Sequence, residues 1–273
     1  MGQPLWQPSA ERIAASNLTA FMRHVRERYG VVTDDYAQLY AWSINDPERF
    51  WHAVWSFCDV IAATQGDVVL ADRDKMPGAR WFPGARLNFA ENLLRRRDRA
   101  TAIVFWGENR IKSRVTYAEL HAEVSRLAQA LRGAGVVAGD RIAGYMPNLP
   151  GAVIAMLATT SIGAVWSSCS PDFGVQGVLD RFGQIEPRIL FSADGYFYSG
   201  RTIDVVDRLA EIARNLPSVE KVVVVPYTRA DPSIGGIPGS ATVHDFMAPY
   251  RPREIHFERL PFNHPLYIMY SSG

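Results

Sequence analysis

Between Ile142 and Pro171 the chain carries no charged residue. Ile142 to Met146 reads as a short buried strand stopped by Pro147. Asn148 is placed to cap a helix whose first turn holds Pro150, where a missing N–H costs nothing. Val153, Ile154, Met156, Leu157 and Ile162 continue an apolar helix that Gly163 closes, and Ala164 to Cys169 reads as a second strand. Strand, helix and strand without a polar face predict a βαβ crossover in the middle of a parallel sheet. A membrane span is excluded, because the prolines leave a helix of about thirteen residues where a bilayer needs roughly 20.

The pattern on either side extends this picture. After the crossover, Val175, Val178, Leu179, Phe182 and Ile185 keep helical spacing up to Pro187, and 188–192 is a strand. Ile203, Val206, Leu209, Ala213 and Leu216 predict a helix ended by Pro217, and 222–225 another strand. Before the crossover, 101–106 and 111–115 flank Gly107-Glu-Asn-Arg110, a hairpin signal. Thr116-Tyr-Ala-Glu119 is a capping box opening a helix through Leu120, Val124, Leu127, Ala128 and Leu131, which Gly133 and Gly135 end. From Pro226 to Pro265 turn residues dominate around one short helix near Asp245, and 266–270 is a last strand running into Ser271-Ser-Gly273.

The first ninety or so residues read as helical. Leu18, Phe21, Met22, Val25 and Tyr29 form one face, with Asn17 as a cap and Gly30 as the stop. A second helix is capped by Asn45 or Asp46, has Pro47 in its first turn, and lines up Phe50, Trp51, Val54, Trp55 and Cys58. Such a stripe needs a partner surface. The expected class is therefore α/β: a helical N-terminal region, residues 1–99, packed on the first part of a doubly wound, mainly parallel sheet domain, residues 100–273. Ligands of such sheets bind outside the carboxyl ends of the strands, which points to 167–173 and 193–201.

Composition narrows the partners. A formal net charge of +1 over 273 residues gives no electrostatic footprint for nucleic acid. Two cysteines, Cys58 and Cys169, suit reduced thiols in a cytoplasmic protein, and the N-terminus lacks a basic-then-apolar signal segment. The seven tryptophans are expected in the core. The basic run Arg95, Arg96, Arg97 and Arg99 suits either a phosphate or a solvated helix end. The six histidines are scattered without metal spacing. Ser-Ser-Gly after an apolar strand is where a phosphate-cradling turn would lie, though the tripeptide alone is a weak signal.

Longer motifs carry a resemblance. Tyr267-Ile-Met-Tyr-Ser-Ser-Gly273 resembles the opening of the triphosphate-binding signature of adenylate-forming acyl-CoA synthetases, whose other half is Thr-Thr-Gly-x-Pro-Lys. Val115-Thr-Tyr-Ala-Glu-Leu120, Gly139-Asp-Arg141 with Tyr145-Met-Pro-Asn148, and Ile162-Gly-Ala-Val165 stand in that family's order and spacing. Ser43-Ile-Asn-Asp-Pro-Glu-Arg-Phe-Trp51 and Trp81-Phe-Pro-Gly-Ala-Arg-Leu-Asn88 resemble the N-terminal region of its acetyl-CoA synthetase branch. Val165-Trp-Ser-Ser-Cys-Ser-Pro-Asp-Phe-Gly174 is most similar to the acetoacetate-activating members.

The resemblance implies an acid–thiol ligase. A carboxylate, acetoacetate first and acetate or another short acid as the alternative, attacks the α-phosphate of ATP with Mg2+, and CoA then displaces AMP. It implies that Ser271, Ser272 and Gly273 begin the ATP phosphate loop and that Ser170, Pro171 and Asp172 lie by the CoA nucleotide. Arg201 keeps the second arginine of an Arg-Ala-Gly-Arg motif that contacts CoA phosphates, and Tyr198 stands in place of the first. No catalytic residue and no metal ligand is expected within these 273 residues, since the family's acyl pocket, metal-binding acid and catalytic lysine lie further along; the chain alone is expected to be inactive. A non-catalytic nucleotide-binding or interaction module is the rival from another class. A dinucleotide dehydrogenase is disfavoured, since no strand is followed by Gly-x-Gly-x-x-Gly.

Overall fold

The computed structural model describes residues 5–108 and 110–271. The chain divides into two compact units, Met1–Ala85 and Arg86–Gly273. The first holds α1 (Ala10–Ala14), α2 (Asn17–Tyr29), α3 (Tyr36–Asn45) and α4 (Pro47–Phe57), followed by the short strands β1 (Ala62–Thr64), β2 (Leu70–Ala71) and β3 (Arg80–Trp81). Its helices start where side-chain oxygens take up unpaired N–H groups. Ser16, not Asn17, accepts from Thr19, Asp35 from Gln38, and Asp46 from Arg49. Gly30 closes α2 at φ 65°.

Phe21, Val25, Leu39 and Ala53 form the core of this unit. The stripe expected on α4 is only partly covered. Ala53 is its buried residue, Phe50, Val54 and Trp55 are half-buried, and Trp51 and Cys58 are exposed. The Trp51 ring meets that of Trp81 edge to face instead, at 5.9 Å. The tryptophans in general depart from expectation. Only Trp166 is buried; the others share ring edges or, like Trp106 under Lys112, carry a cation.

The second unit begins with β4 (Arg86–Leu87) and α5 (Phe89–Leu93), then the hairpin β5 (Thr101–Gly107) and β6 (Ile111–Thr116). The alternation that follows is α6 (Tyr117–Gly133), β7 (Arg141–Tyr145), α7 (Pro150–Ser161), β8 (Val165–Cys169), α8 (Val175–Ile185) and β9 (Ile189–Ala193). Next come the hairpin β10 (Gly195–Tyr198) and β11 (Arg201–Asp204), α9 (Val206–Arg214), β12 (Lys221–Val225), β13 (Ser240–Thr242), α10 (Val243–Met247), β14 (Leu260–Pro261) and β15 (Tyr267–Ile268). The capping box forms as read: Thr116 Oγ1 accepts from the Glu119 N–H, and the Glu119 carboxylate accepts from the Thr116 N–H. Residues 86–94 belong here because they pack here. Ala90 and Leu94 join the sheet's core, and the buried Asn88 amide donates to the carbonyls of Thr160, Ser161 and Glu258.

Six strands form one sheet in the order β13-β12-β9-β7-β8-β15, every pair parallel. β7 and β8 lie inside it, as the uncharged run predicts. Successive residues of each strand point to opposite faces. Val223, Ile142 and Phe191 enter one core with α6 and α7, while Val222, Val224, Leu190 and Tyr145 enter another with α8 and α9. Helices on both faces make the sheet doubly wound.

Three local expectations change. Leu149, not Asn148, is the N-cap of α7, and no side chain bonds its first turn. Ile203 lies in the β10–β11 hairpin, so α9 is shorter than the pattern suggests. Residues 240–242 form an edge strand where only loop was expected.

Candidate active site at the carboxyl edge of the sheet

The carboxyl ends of β7, β8 and β15 open onto a cavity of about 590 Å3, lined by residues that include Asn148, Met156, Trp166, Ser170, Arg181 and Ser271. Its shape is set inside the strands. Gly144 has no side chain because the Trp166 indole occupies the space: a Cβ there would lie 2.7 Å from Trp166 Cζ2. Ser167 Oγ donates to the Ile268 carbonyl at 2.8 Å, tying β8 to β15 and placing Tyr270 and Ser271 at the rim.

Among the described residues the rim holds one cation. The Arg181 guanidinium lies 4.2 Å over the Phe173 ring and 5.8 Å from that of Tyr270, while the Tyr270 hydroxyl donates to the Arg181 carbonyl at 2.9 Å. Burial pushes the Tyr270 phenol up. It also pushes the Cys169 thiol to about 12, with Arg181 opposing. A thiol held protonated in this way is not a nucleophile.

The loop after β8 is held from beneath. The buried Tyr145 hydroxyl donates to the carbonyls of Pro171 and Phe173, both at 2.8 Å. Arg208, from α9, donates to the Tyr145 oxygen at 3.0 Å and to the Pro171 carbonyl at 2.9 Å. The next strand end is fixed by a fully buried carboxylate. Asp194 accepts from the main-chain N–H groups of Tyr227, Thr228 and Arg229 and from the Thr228 hydroxyl.

Sequence reading did not single out Arg208, Asp194 or Arg181, and it named Tyr145 only as part of a motif. The Asp after the apolar strand 189–193 was the available signal, since an unpaired buried carboxylate is costly and must have donors. Arg208 gave none, because its partners Tyr145 and Pro171 lie on other elements, and the rings that Arg181 faces, Phe173 and Tyr270, lie outside its helix.

Ser170, Pro171 and Asp172 come together around a second cavity, of about 560 Å3, beside Tyr196 and Tyr198. Arg201 lines neither cavity; it is exposed, opposite Tyr198 in the hairpin register. Ser271 is at the rim of the first cavity, and Ser272 and Gly273 lie outside the described residues. The basic run is spent on the surface. Arg95 bonds Asn92, Arg96 pairs with Asp98 at 2.8 Å, and Arg97 pairs with Glu254. Among the described residues no group of three or more His, Cys, Asp or Glu is placed to hold a metal ion, and no helix is long and apolar enough to cross a membrane.

The sequence pattern of the AMP-binding enzymes matches residues 89–273, about two thirds of the chain. The chain belongs to the AMP-binding enzyme family. The pattern of the acetyl-coenzyme A synthetase N-terminus matches residues 36–93 of this AMP-binding enzyme. It is 47% identical over 272 residues to an acetoacetyl-coenzyme A synthetase of Rhizobium meliloti (strain 1021), covering 99% of this chain and 41% of that protein. It is 39% identical over 278 residues to the acetoacetyl-CoA synthetase of Danio rerio, covering 98% of this chain and 41% of that one. The solved acetoacetyl-CoA synthetase from Streptomyces lividans superposes with a TM-score of 0.91 at 44% identity, over 100% of this chain and 42% of that one. The chain thus spans about two fifths of the length of the relatives it matches.

Proposed function

We propose that this chain is the N-terminal part of an ATP-dependent acetoacetate–CoA ligase. It contributes one wall of the centre where acetoacetate and ATP give acetoacetyl-adenylate and diphosphate, and where the CoA thiol then displaces AMP. The observation that carries this reading is the 47% identity to the Rhizobium meliloti acetoacetyl-coenzyme A synthetase over 99% of the chain.

The geometry agrees with it. The cavities lie at the carboxyl edge of a parallel sheet, where ligands of such folds bind. Ser271, with Ser272 and Gly273, begins the turn for the ATP phosphates. Ser170, Pro171 and Asp172 face the nucleotide end of CoA, with Arg201 outside. Formation of the adenylate depends on positioning and charge neutralisation more than on a covalent contribution from protein. Mg2+ would accompany ATP. The described residues offer it no ligand cluster, so no step is assigned to it within this chain. The setting is the cytoplasm, and the partners are small molecules.

The test is acetoacetate-dependent exchange between ATP and labelled diphosphate, measured on the product of the complete reading frame and on residues 1–273 alone. Exchange by the former and silence from the latter is the expected pair. Faster exchange with acetate than with acetoacetate reassigns the acid. A frame without exchange leaves a binding module.

A further inference from the structure

The N-terminal helical unit carries two further hollows, and neither shares a residue with the cavities at the sheet edge. The first, of about 790 Å3, lies among α1, α2 and the segment 33–36, and Arg12, Arg23, Arg26, Asp34 and Asp35 are among its lining residues. The second, of about 390 Å3, lies among α2, α3 and α4 and is walled chiefly by Phe21, Leu39, Phe50, Val54 and Phe57. Leu18 and Tyr36 line both, so the two open side by side. A charged hollow thus continues into an apolar groove.

The charges of the first hollow do not cancel. Arg26 is paired with Asp34 at 2.7 Å. The Asp35 carboxylate accepts from the Gln38 N–H at 2.8 Å, as the cap of α3. Arg12 has the Trp6 ring at 5.7 Å, and Arg23 has no partner among the described residues. Three guanidiniums against two carboxylates leave one positive charge, which a singly charged anion offsets. The groove beside it is open to water. Tyr36 is 66% exposed, Tyr40, which also lines the groove, 54% and Leu18 45%. Apolar surface gathered in this way next to a cationic pocket suits an amphiphile.

We propose that the paired hollows bind an aliphatic monocarboxylate of medium chain length, its carboxylate at Arg12 and Arg23 and its tail past Leu18 in the groove between α2, α3 and α4. Arginine suits that head, because its planar fork donates to both carboxylate oxygens at once. The tail leaves water for aromatic and branched aliphatic side chains, a gain that grows with the apolar area covered. A phosphomonoester, with a charge of about −2, would overshoot the single positive charge, and a neutral hydrocarbon would leave the arginines unmatched. Both volumes lie within the range of small-molecule sites. The proposal does not rest on the ligase reading, since every residue in it belongs to the helical unit.

The experiment is calorimetric titration of this chain, and of the product of the complete reading frame, with butanoate, octanoate, decanoate and decan-1-ol. Affinity is expected to rise about fourfold with each added methylene that the groove covers. Decan-1-ol keeps the tail and lacks the charge, and should bind about tenfold more weakly than decanoate. Arg23→Gln weakens decanoate about tenfold and leaves decan-1-ol unchanged. Tyr40→Ser weakens decanoate and leaves butanoate unchanged. Both residues are exposed, so circular dichroism should find both variants folded. Decanoate should also slow iodoacetamide labelling of Cys58, which lines the groove and is exposed, and that places the ligand here rather than at the sheet edge. Affinity that does not grow with chain length, decan-1-ol binding as tightly as decanoate, undiminished labelling of Cys58, or an Arg23→Gln variant indistinguishable from wild type overturns the site. Binding to vesicles of anionic phospholipid without binding of free decanoate also overturns it and makes the face a membrane surface. Binding by this chain but not by the complete product overturns it as well, and makes the groove a contact for the remaining residues.

Discussion

The Arg208 guanidinium donates to the Tyr145 phenolic oxygen at 3.0 Å, and both groups donate to the Pro171 carbonyl, at 2.9 and 2.8 Å. One side chain from α9 and one from β7 thereby fix the loop that carries Ser170, Pro171 and Asp172. Tyr145→Phe leaves the carbonyls with Arg208 and is expected to cost about 1 kcal/mol. Arg208→Met removes a charge-assisted donor and is expected to cost about 2 kcal/mol. Urea unfolding gives both values, and amide exchange should quicken at residues 172–174 in the Arg208 variant only.

The two cysteines separate by burial. Cys58 is exposed and Cys169 is buried. At pH 8 iodoacetamide should label Cys58 in the folded chain and reach Cys169 only in denaturant, as read by peptide mass spectrometry. The Cys169 thiol keeps its proton to about 12 in the folded state, against an ordinary value of 9.0. The folded state therefore binds the extra proton. Its contribution to stability is complete below pH 9 and declines as the pH rises from 9 toward 12. Cys169→Ser should flatten that decline.

Asp194 gathers three main-chain N–H groups and one hydroxyl at a fully buried position. Asp194→Ala would leave all four donors without an acceptor. A loss of about 3–5 kcal/mol is expected, with faster proteolysis in residues 226–229. Thr228→Val removes only the hydroxyl and should cost about 1 kcal/mol. Chemical denaturation of the two variants distinguishes a shared anchor from four separate contacts.

Gly144→Ala would put a methyl group 2.7 Å from Trp166 Cζ2 and 2.8 Å from Cη2, in the middle of the sheet. Overpacking of this kind costs about 1–3 kcal/mol. Pairing the change with Trp166→Phe should recover part of that loss, and the thermal midpoints of the single and double variants provide the check.

The parts of this fold that were legible in the sequence are those governed by neighbouring residues. Thr116 and Glu119 cap one another, Pro47 follows its capping Asp46, and the uncharged run around α7 can only be a sheet interior. The β10–β11 hairpin was hidden because Ile203 keeps helical phase with Val206 and Leu209. The Asp204 carboxylate accepts from the Val206 N–H at 2.8 Å, and that local bond sets the true start of α9. At the site, the strand ends could be located by the general rule for parallel sheets. Arg208 could not be, since it lies 63 positions from Tyr145 and only the folded chain brings them together. Asn148 misled for the opposite reason: its sequence neighbours suit a cap, and the geometry gives that place to Leu149.

The pairing of β15 with β8 joins Ser167 to Ile268, 101 positions apart in the chain. While the protein is being synthesised, β7, α7 and β8 can assemble from contiguous residues long before Tyr267 has left the ribosome. Until that strand arrives, β8 is an open border with main-chain groups ready to pair with any passing chain. The mouth of the first cavity therefore cannot form before β15 docks, and a nascent polypeptide of this sequence needs chaperone shelter in the interval before it does.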